Sequence, residues 1–214
     1  MTIAFSFLSL LSDNYKDAID TFNEFDKTNW IHYDVMDGKF VPNSTYDYKL
    51  VSEVNKYNKL YSDVHLMTFN PEKYVENYAK AGSNMLTFHY ESVKEDEIIP
   101  IINKIKKCNM KAGISIKPNT DVRVLDKYLS LLDYILVMSV EPGMGGQPFI
   151  SSSLDKIRYL SRKKKEYNFL IGVDGGINDL NAKLVSEAGA DVVILGSYLA
   201  KNLNLETINK IKKA

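Results

Sequence analysis

Short runs of apolar and β-branched residues alternate with longer segments of helical period along the whole of this chain, and no low-complexity linker interrupts them. That alternation constrains the fold more than any other feature, because repeated strand and helix units build a parallel sheet with helices packed on it. The runs are Ile3 to Leu8, Trp30 to Val35, Leu60 to Leu66, Met85 to His89, Lys111 to Ile116, Tyr134 to Val140, Phe169 to Val173 and Val192 to Leu195. Between them, Tyr46, Leu50, Val51, Val54 and Tyr57 recur at helical spacing, as do Ile98, Ile101, Ile102 and Ile105. Polar caps at Asn70-Pro71-Glu72, Ser151-Ser152-Ser153 and Asn178-Asp179 mark further helix starts. Pro100 is placed near a helix start, where the first turn needs no intrahelical donor.

About eight strand and helix pairs result, the number that closes a TIM barrel. The 214 residues fit one such barrel, so a single catalytic domain over 1–214 is expected. An open doubly wound sheet would carry a glycine-rich nucleotide turn after its first strand, where this chain reads Ser9-Leu10-Leu11-Ser12-Asp13.

Charge narrows the partners. The 27 basic and 27 acidic residues cancel, which removes any general pull toward nucleic acid or an anionic membrane, so an anionic ligand must be captured locally. The opening segment Thr2 to Leu8 is apolar, but it has no basic leader and is too short to span a bilayer. The single Cys108 excludes an internal disulfide framework and fits a reducing cytoplasm.

All three histidines lie at or near the ends of apolar runs. Two sit in the patterns Ile31-His32-Tyr33-Asp34-Val35-Met36-Asp37-Gly38 and Asp63-Val64-His65-Leu66-Met67. If these runs are parallel strands of one barrel, their side chains converge on one mouth with Asp174 of Val173-Asp174-Gly175-Gly176. Two imidazoles and two carboxylates suffice to hold one divalent metal beside a substrate. Asp37, in an Asp-Gly pair, reads as loop structure. His89 reads as a supporting or structural residue, and Arg162-Lys163-Lys164-Lys165 as a solvated helix end. Glycines concentrate late, in Gly143-Met144-Gly145-Gly146, Asp174-Gly175-Gly176 and Gly196-Ser197. In barrels the last loops commonly bind phosphate through backbone N–H groups, which implies a phosphorylated substrate.

Taken in order, Ser6 within Ala4-Phe5-Ser6-Phe7-Leu8, His32 to Asn43, Asp63 to Met67, Thr87-Phe88-His89, Lys117-Pro118, Val137 to Gly143, Val173 to Gly176 and Gly196-Ser197 resemble the ribulose-phosphate 3-epimerases over essentially the whole length. The resemblance implies a (β/α)8 barrel of the ribulose-phosphate-binding type and a metal-dependent enzyme of the pentose phosphate pathway. It would invert carbon 3 of D-ribulose 5-phosphate, giving D-xylulose 5-phosphate, by two-base proton transfer through a metal-stabilised enediolate. By the same resemblance His32, Asp34, His65 and Asp174 would ligate one divalent metal (Zn, Fe, Mn or Co), with Asp34 and Asp174 also moving the proton. Ser6, His65, Gly143, Met144, Gly145, Gly146, Asp174, Gly175, Gly176, Gly196 and Ser197 would hold the sugar phosphate, and Met36, Met67 and Met138 would line the intermediate. A cytoplasmic homo-oligomer, acting on a small phosphorylated ketose with no nucleic-acid or membrane partner, is the corresponding expectation.

Three positions depart from the family pattern. Phe5 replaces a proline before Ser6, Met144 stands where a phenylalanine is usual, and Pro148 follows Gln147 as in the related allulose 6-phosphate epimerases. Gly176 in the Asp-Gly-Gly turn favours the pentose over that six-carbon substrate. Two other classes stay open. A sugar-phosphate lyase on this barrel would show a Lys and Asp cluster at the strand end, and Asp34-Val35-Met36-Asp37 has no Lys. A non-catalytic sensor would need the glycine turns but neither carboxylate.

Overall fold

The computed structural model describes residues 1–10, 15–24, 28–201 and 205–213. Eight parallel strands form a closed barrel in sequence order: β1 (Thr2–Ser6), β2 (Trp30–Met36), β3 (Tyr61–Met67), β4 (Met85–His89), β5 (Lys111–Ile116), β6 (Tyr134–Met138), β7 (Leu170–Asp174) and β8 (Val192–Leu195). β1 pairs with β8 as well as β2, which closes the ring and leaves no edge. The helices are α1 (Tyr15–Glu24), α2 (Tyr48–Val54), α3 (Val75–Lys80), α4 (Glu95–Lys107), α5 (Ser153–Lys163), α6 (Ala182–Ala188), α7 (Ser197–Lys201) and α8 (Leu205–Lys212). No helix among the described residues is long and apolar enough to cross a membrane.

Strand alternation divides the buried residues into two sets. Ile3, Phe5, Ile31, Tyr33, Val64, Leu66 and Leu86 belong to the core between barrel and helices, whereas Ala4, Met85, Leu136, Val192 and Ile194 fill the barrel interior. Trp30, Tyr61 and Tyr134 plug the floor, with Trp30 4.8 Å from Tyr61 and 5.8 Å from Tyr134 between ring centroids. A tyrosine fits there because β7 faces it with Gly172, where a Cβ would lie 1.8 Å from the Tyr134 hydroxyl.

Several elements differ from the sequence reading. The run Ile3 to Leu8 is strand only to Ser6, after which Phe7–Leu10 forms a 3-10 turn. Register with β2 ends at Ser6, and Phe7 turns outward into a buried aromatic group with Tyr15, Tyr33 and Tyr46. Tyr46 and Tyr57 therefore lie outside α2: the first joins that aromatic group, and the second is half exposed. Pro100 is not in a first turn, because α4 begins at Glu95 and makes it the sixth helical residue. The buried stripe of Ile98, Ile101, Ile102 and Ile105 holds the helix despite the lost donor. Between β5 and β6 the expected helix is a 3-10 segment, Val122–Tyr128, started by Asp121 accepting from the Arg123 N–H. Asn70 makes no side-chain cap, and the Ser151 to Ser153 start is fixed by Ser153 Oγ donating to Ile150 O. Asn178 does act as expected, accepting from the N–H groups of Leu180 and Asn181 ahead of α6. Of the turn after β1, Leu11, Ser12 and Asp13 lie outside the described residues.

Candidate active site

In register, β2 and β3 set their inward residues side by side in four successive layers: Trp30 with Tyr61, His32 with Asp63, Asp34 with His65, and Met36 with Met67. The floor is aromatic, the next two layers are ionisable, and the rim is thioether. Asp174 at the end of β7 reaches the same level, next to Met138 in register. Ligand atoms of His32, Asp34, His65 and Asp174 all lie within 4.8 Å of one another.

The donor set fits a divalent cation. His32 Nδ1 is 2.7 Å from Asp63 Oδ2, and both side chains are fully buried. The buried carboxylate accepts the Nδ1 hydrogen, so Nε2 keeps its lone pair. That nitrogen has no hydrogen-bond partner among the described residues, although Asp34 Oδ1 is 3.3 Å away. A buried lone pair aimed at a carboxylate is costly unless a cation joins them. His65 Nδ1 lies 3.4 Å from Asp34 Oδ1 and 3.9 Å from Asp174 Oδ2, spacings that leave room for a shared ion.

Both carboxylates crowd one buried site, with Asp34 Oδ1 3.3 Å from His32 Nε2 and 3.4 Å from His65 Nδ1. Asp174 is pushed up to about 6, first by burial and then by the negative charge of Asp34. Ser6 Oγ donates to Asp34 Oδ2 at 2.8 Å and fixes that carboxylate. Phe5 does not disturb this, because it points out of the barrel and stacks on Phe22 at 4.2 Å.

Above the cluster opens a cleft of about 290 Å³. Ser6, Asp34, Met36, Met67, Met138, Gly143, Met144, Gly145, Gly146, Asp174, Gly175, Gly176, Gly196 and Ser197 all line it, while His32 and His65 lie buried beneath. Gly145 and Gly146 approach Ser197, so the loop after β6 and the start of α7 face each other across one end. Gly176 has φ of 66°, and a Cβ there would sit 2.6 Å from the Phe149 backbone nitrogen, so the turn after Asp174 needs glycine. Asn43 donates to Gly143 O at 2.7 Å, tying the loop after β2 to the loop after β6. Met144 is 64% exposed, the most open side chain of the glycine-rich loop's apolar residues.

Asp37 is loop structure, as its sequence context implies: its carboxylate accepts from the N–H groups of Lys39, Phe40 and Phe69. His89 touches His65, with Nε2 to Nε2 of 2.9 Å. Three residues escaped the sequence reading. Asp63 could have been found by aligning the β2 and β3 runs on Met36 and Met67, which sets it opposite His32. Glu91 stands two residues beyond His89 and bonds to it at 3.1 Å. Lys201 borders the cleft, so a basic side chain does stand near turns that contain none themselves.

The model of the ribulose-phosphate 3 epimerase family matches residues 2–200. The ribulose-phosphate 3-epimerase of Bacillus subtilis is 43% identical over 170 residues, covering 78% of this chain and 77% of that one. The one from Aquifex aeolicus is 40% identical over 181 residues, covering 83% and 81%. Among solved structures, the tryptophan synthase α-subunit of Pyrococcus furiosus aligns over 100% of this chain and 98% of its own, with TM-score 0.70 at 12% identity. A 3-hexulose-6-phosphate synthase aligns over 100% and 97%, with TM-score 0.66 at 14% identity. Those two likenesses show the barrel alone; the family-wide match and the close relatives establish that this chain belongs to the ribulose-phosphate 3-epimerase family.

Proposed function

We propose that the protein is a metal-dependent epimerase, a single catalytic domain over 1–214 that inverts carbon 3 of D-ribulose 5-phosphate to give D-xylulose 5-phosphate. The carrying observation is the pair Asp34 and Asp174, set on strands three places apart around the ring and both lining the one cleft. Inversion beside a ketone needs a base on one face of the carbon and an acid on the other, and carboxylates so separated fill both roles. In one direction Asp34 takes the carbon 3 proton and Asp174 returns one to the opposite face; in the other the roles exchange. A divalent ion held by His32, Asp34, His65 and Asp174, whether Zn, Fe, Mn or Co, supplies Lewis-acid stabilisation of the negative charge that develops on substrate oxygen.

The remaining residues position and shield. Ser6 keeps Asp34 oriented through its 2.8 Å bond. Met36, Met67 and Met138 form an adaptable apolar rim that excludes water from the reacting carbon. Backbone groups of Gly143 to Gly146, Gly175, Gly176, Gly196 and Ser197 receive the phosphate, with Lys201 adding charge at the cleft edge. One cysteine and balanced charge suit a cytoplasmic enzyme with a small-molecule partner, assembled as a homo-oligomer.

The test is an assay of purified protein on ribulose 5-phosphate and allulose 6-phosphate side by side, before and after exhaustive chelation. Faster turnover of the pentose, lost on chelation and restored by a divalent ion, is expected. Full activity in protein shown metal-free by elemental analysis would overturn the metal role, and faster turnover of the hexulose would move the substrate.

A further inference from the structure

We propose that Glu91, acting through His89, dictates which nitrogen of His65 carries hydrogen, and thereby keeps His65 Nδ1 as a lone pair facing Asp34 and Asp174. The consequence for metal binding rests on the reading above; the hydrogen placement itself does not.

Donors and acceptors alternate along one row from Glu91 through His89 to His65. His65 Nε2 and His89 Nε2 are 2.9 Å apart, so one of them donates and the other accepts. At its other nitrogen, His89 Nδ1 meets Glu91 Oε2 at 3.1 Å. Glu91 Oε1 already accepts the Lys117 N–H at 2.8 Å and the Thr120 hydroxyl. A carboxylate taking two donors on one oxygen offers only acceptance on the other, so His89 Nδ1 bears the hydrogen. Neutral His89 then has a bare Nε2, which accepts from His65 Nε2–H. Neutral His65 is left with a bare Nδ1, the nitrogen 3.4 Å from Asp34 Oδ1 and 3.9 Å from Asp174 Oδ2.

The far end of the row is anchored. Lys156 Nζ donates to the carbonyls of Lys117, Pro118 and Thr120, clamping the loop after β5 that supplies both donors to Glu91. Ser92 Oγ donates to His89 O at 2.7 Å, and the Phe40 ring covers His89 at 4.8 Å between centroids. Polarity set on one loop is thus handed through two imidazoles to the cluster. Glu91 is a positioning residue, and it touches no ligand atom.

The test has two parts. In metal-free wild-type protein labelled with ¹⁵N-histidine, NMR at neutral pH should show hydrogen on His65 Nε2 and His89 Nδ1. In Glu91→Gln the amide oxygen is drawn to the two donors from Lys117 and Thr120, which turns the amide N–H toward His89 Nδ1. Both tautomers should then reverse, and Zn²⁺ affinity, read by competition with a chromophoric chelator, should fall roughly 10- to 100-fold. Hydrogen on His65 Nδ1 in the wild type overturns the proposal, as do unchanged tautomers in a folded Glu91→Gln variant. If that variant does not fold, the wild-type spectrum decides alone. Wild-type tautomers as stated without any Zn²⁺ binding would uphold this row while removing the metal from the functional reading.

Discussion

His32 and Asp63 face each other in register on β2 and β3, and their side chains meet at 2.7 Å with neither exposed to solvent. This contact turns a barrel-core histidine into a donor with its Nε2 lone pair aimed at Asp34. Asp63→Asn removes the charge and lets an amide N–H face His32 Nδ1. Divalent metal affinity should fall about 10- to 100-fold with the fold retained, measured by chelator competition beside circular dichroism.

His65→Ala should lose metal and activity but still unfold in one cooperative transition. The barrel owes its stability to its apolar clusters, and His65 belongs to none of the three found among the described residues. Thermal unfolding with elemental analysis checks this, and collapse of the fold would make the centre structural.

Gly196→Val should raise KM for the sugar phosphate at least tenfold while leaving the melting temperature nearly unchanged. A Cβ at this position meets only the Ser9 hydroxyl closely, at 2.7 Å, and a hydroxyl can rotate away, so the added bulk intrudes mainly on the ligand. Steady-state kinetics test it; an unchanged KM would place the phosphate elsewhere.

How much of this was legible in the residues depends on what each signal encodes. The apolar runs marked all eight strands, because parallel strands buried on both faces read as near-continuous apolar stretches, and the His and Asp patterns at those runs marked the four clustered side chains. The run through Leu8 misled, since Phe7 is as apolar as a strand residue yet buries itself against Tyr15, Tyr33 and Tyr46 outside the barrel. Asp63 and Glu91 escape a run-by-run reading for another reason. Their roles arise from contacts across strands and loops, and a single run read alone carries no register.

Acid should weaken the row that ends on Glu91. Burial would raise that carboxyl, but hydrogen bonds from His89 and Thr120 hold it down to about 2 against an ordinary 4.5. The unfolded chain therefore binds the proton first, so this contribution is complete above about 4.5 and disappears as pH falls toward 2, at most about 3 kcal/mol in all. Melting temperatures of metal-free wild type and Glu91→Gln across that window should show a shallower decline in the variant. Parallel curves would contradict the assignment.

The most direct test of two-base inversion is to run single turnovers on ribulose 5-phosphate in deuterated water and locate the label by NMR. Wild type should place solvent deuterium at carbon 3 of xylulose 5-phosphate from the first turnover, because the hydrogen removed by Asp34 is not the one Asp174 returns. Asp174→Asn should make no xylulose 5-phosphate yet slowly exchange the carbon 3 hydrogen of recovered ribulose 5-phosphate. Product that keeps its original hydrogen at carbon 3, or efficient inversion by an Asp34→Asn, Asp174→Asn double variant, would contradict the account.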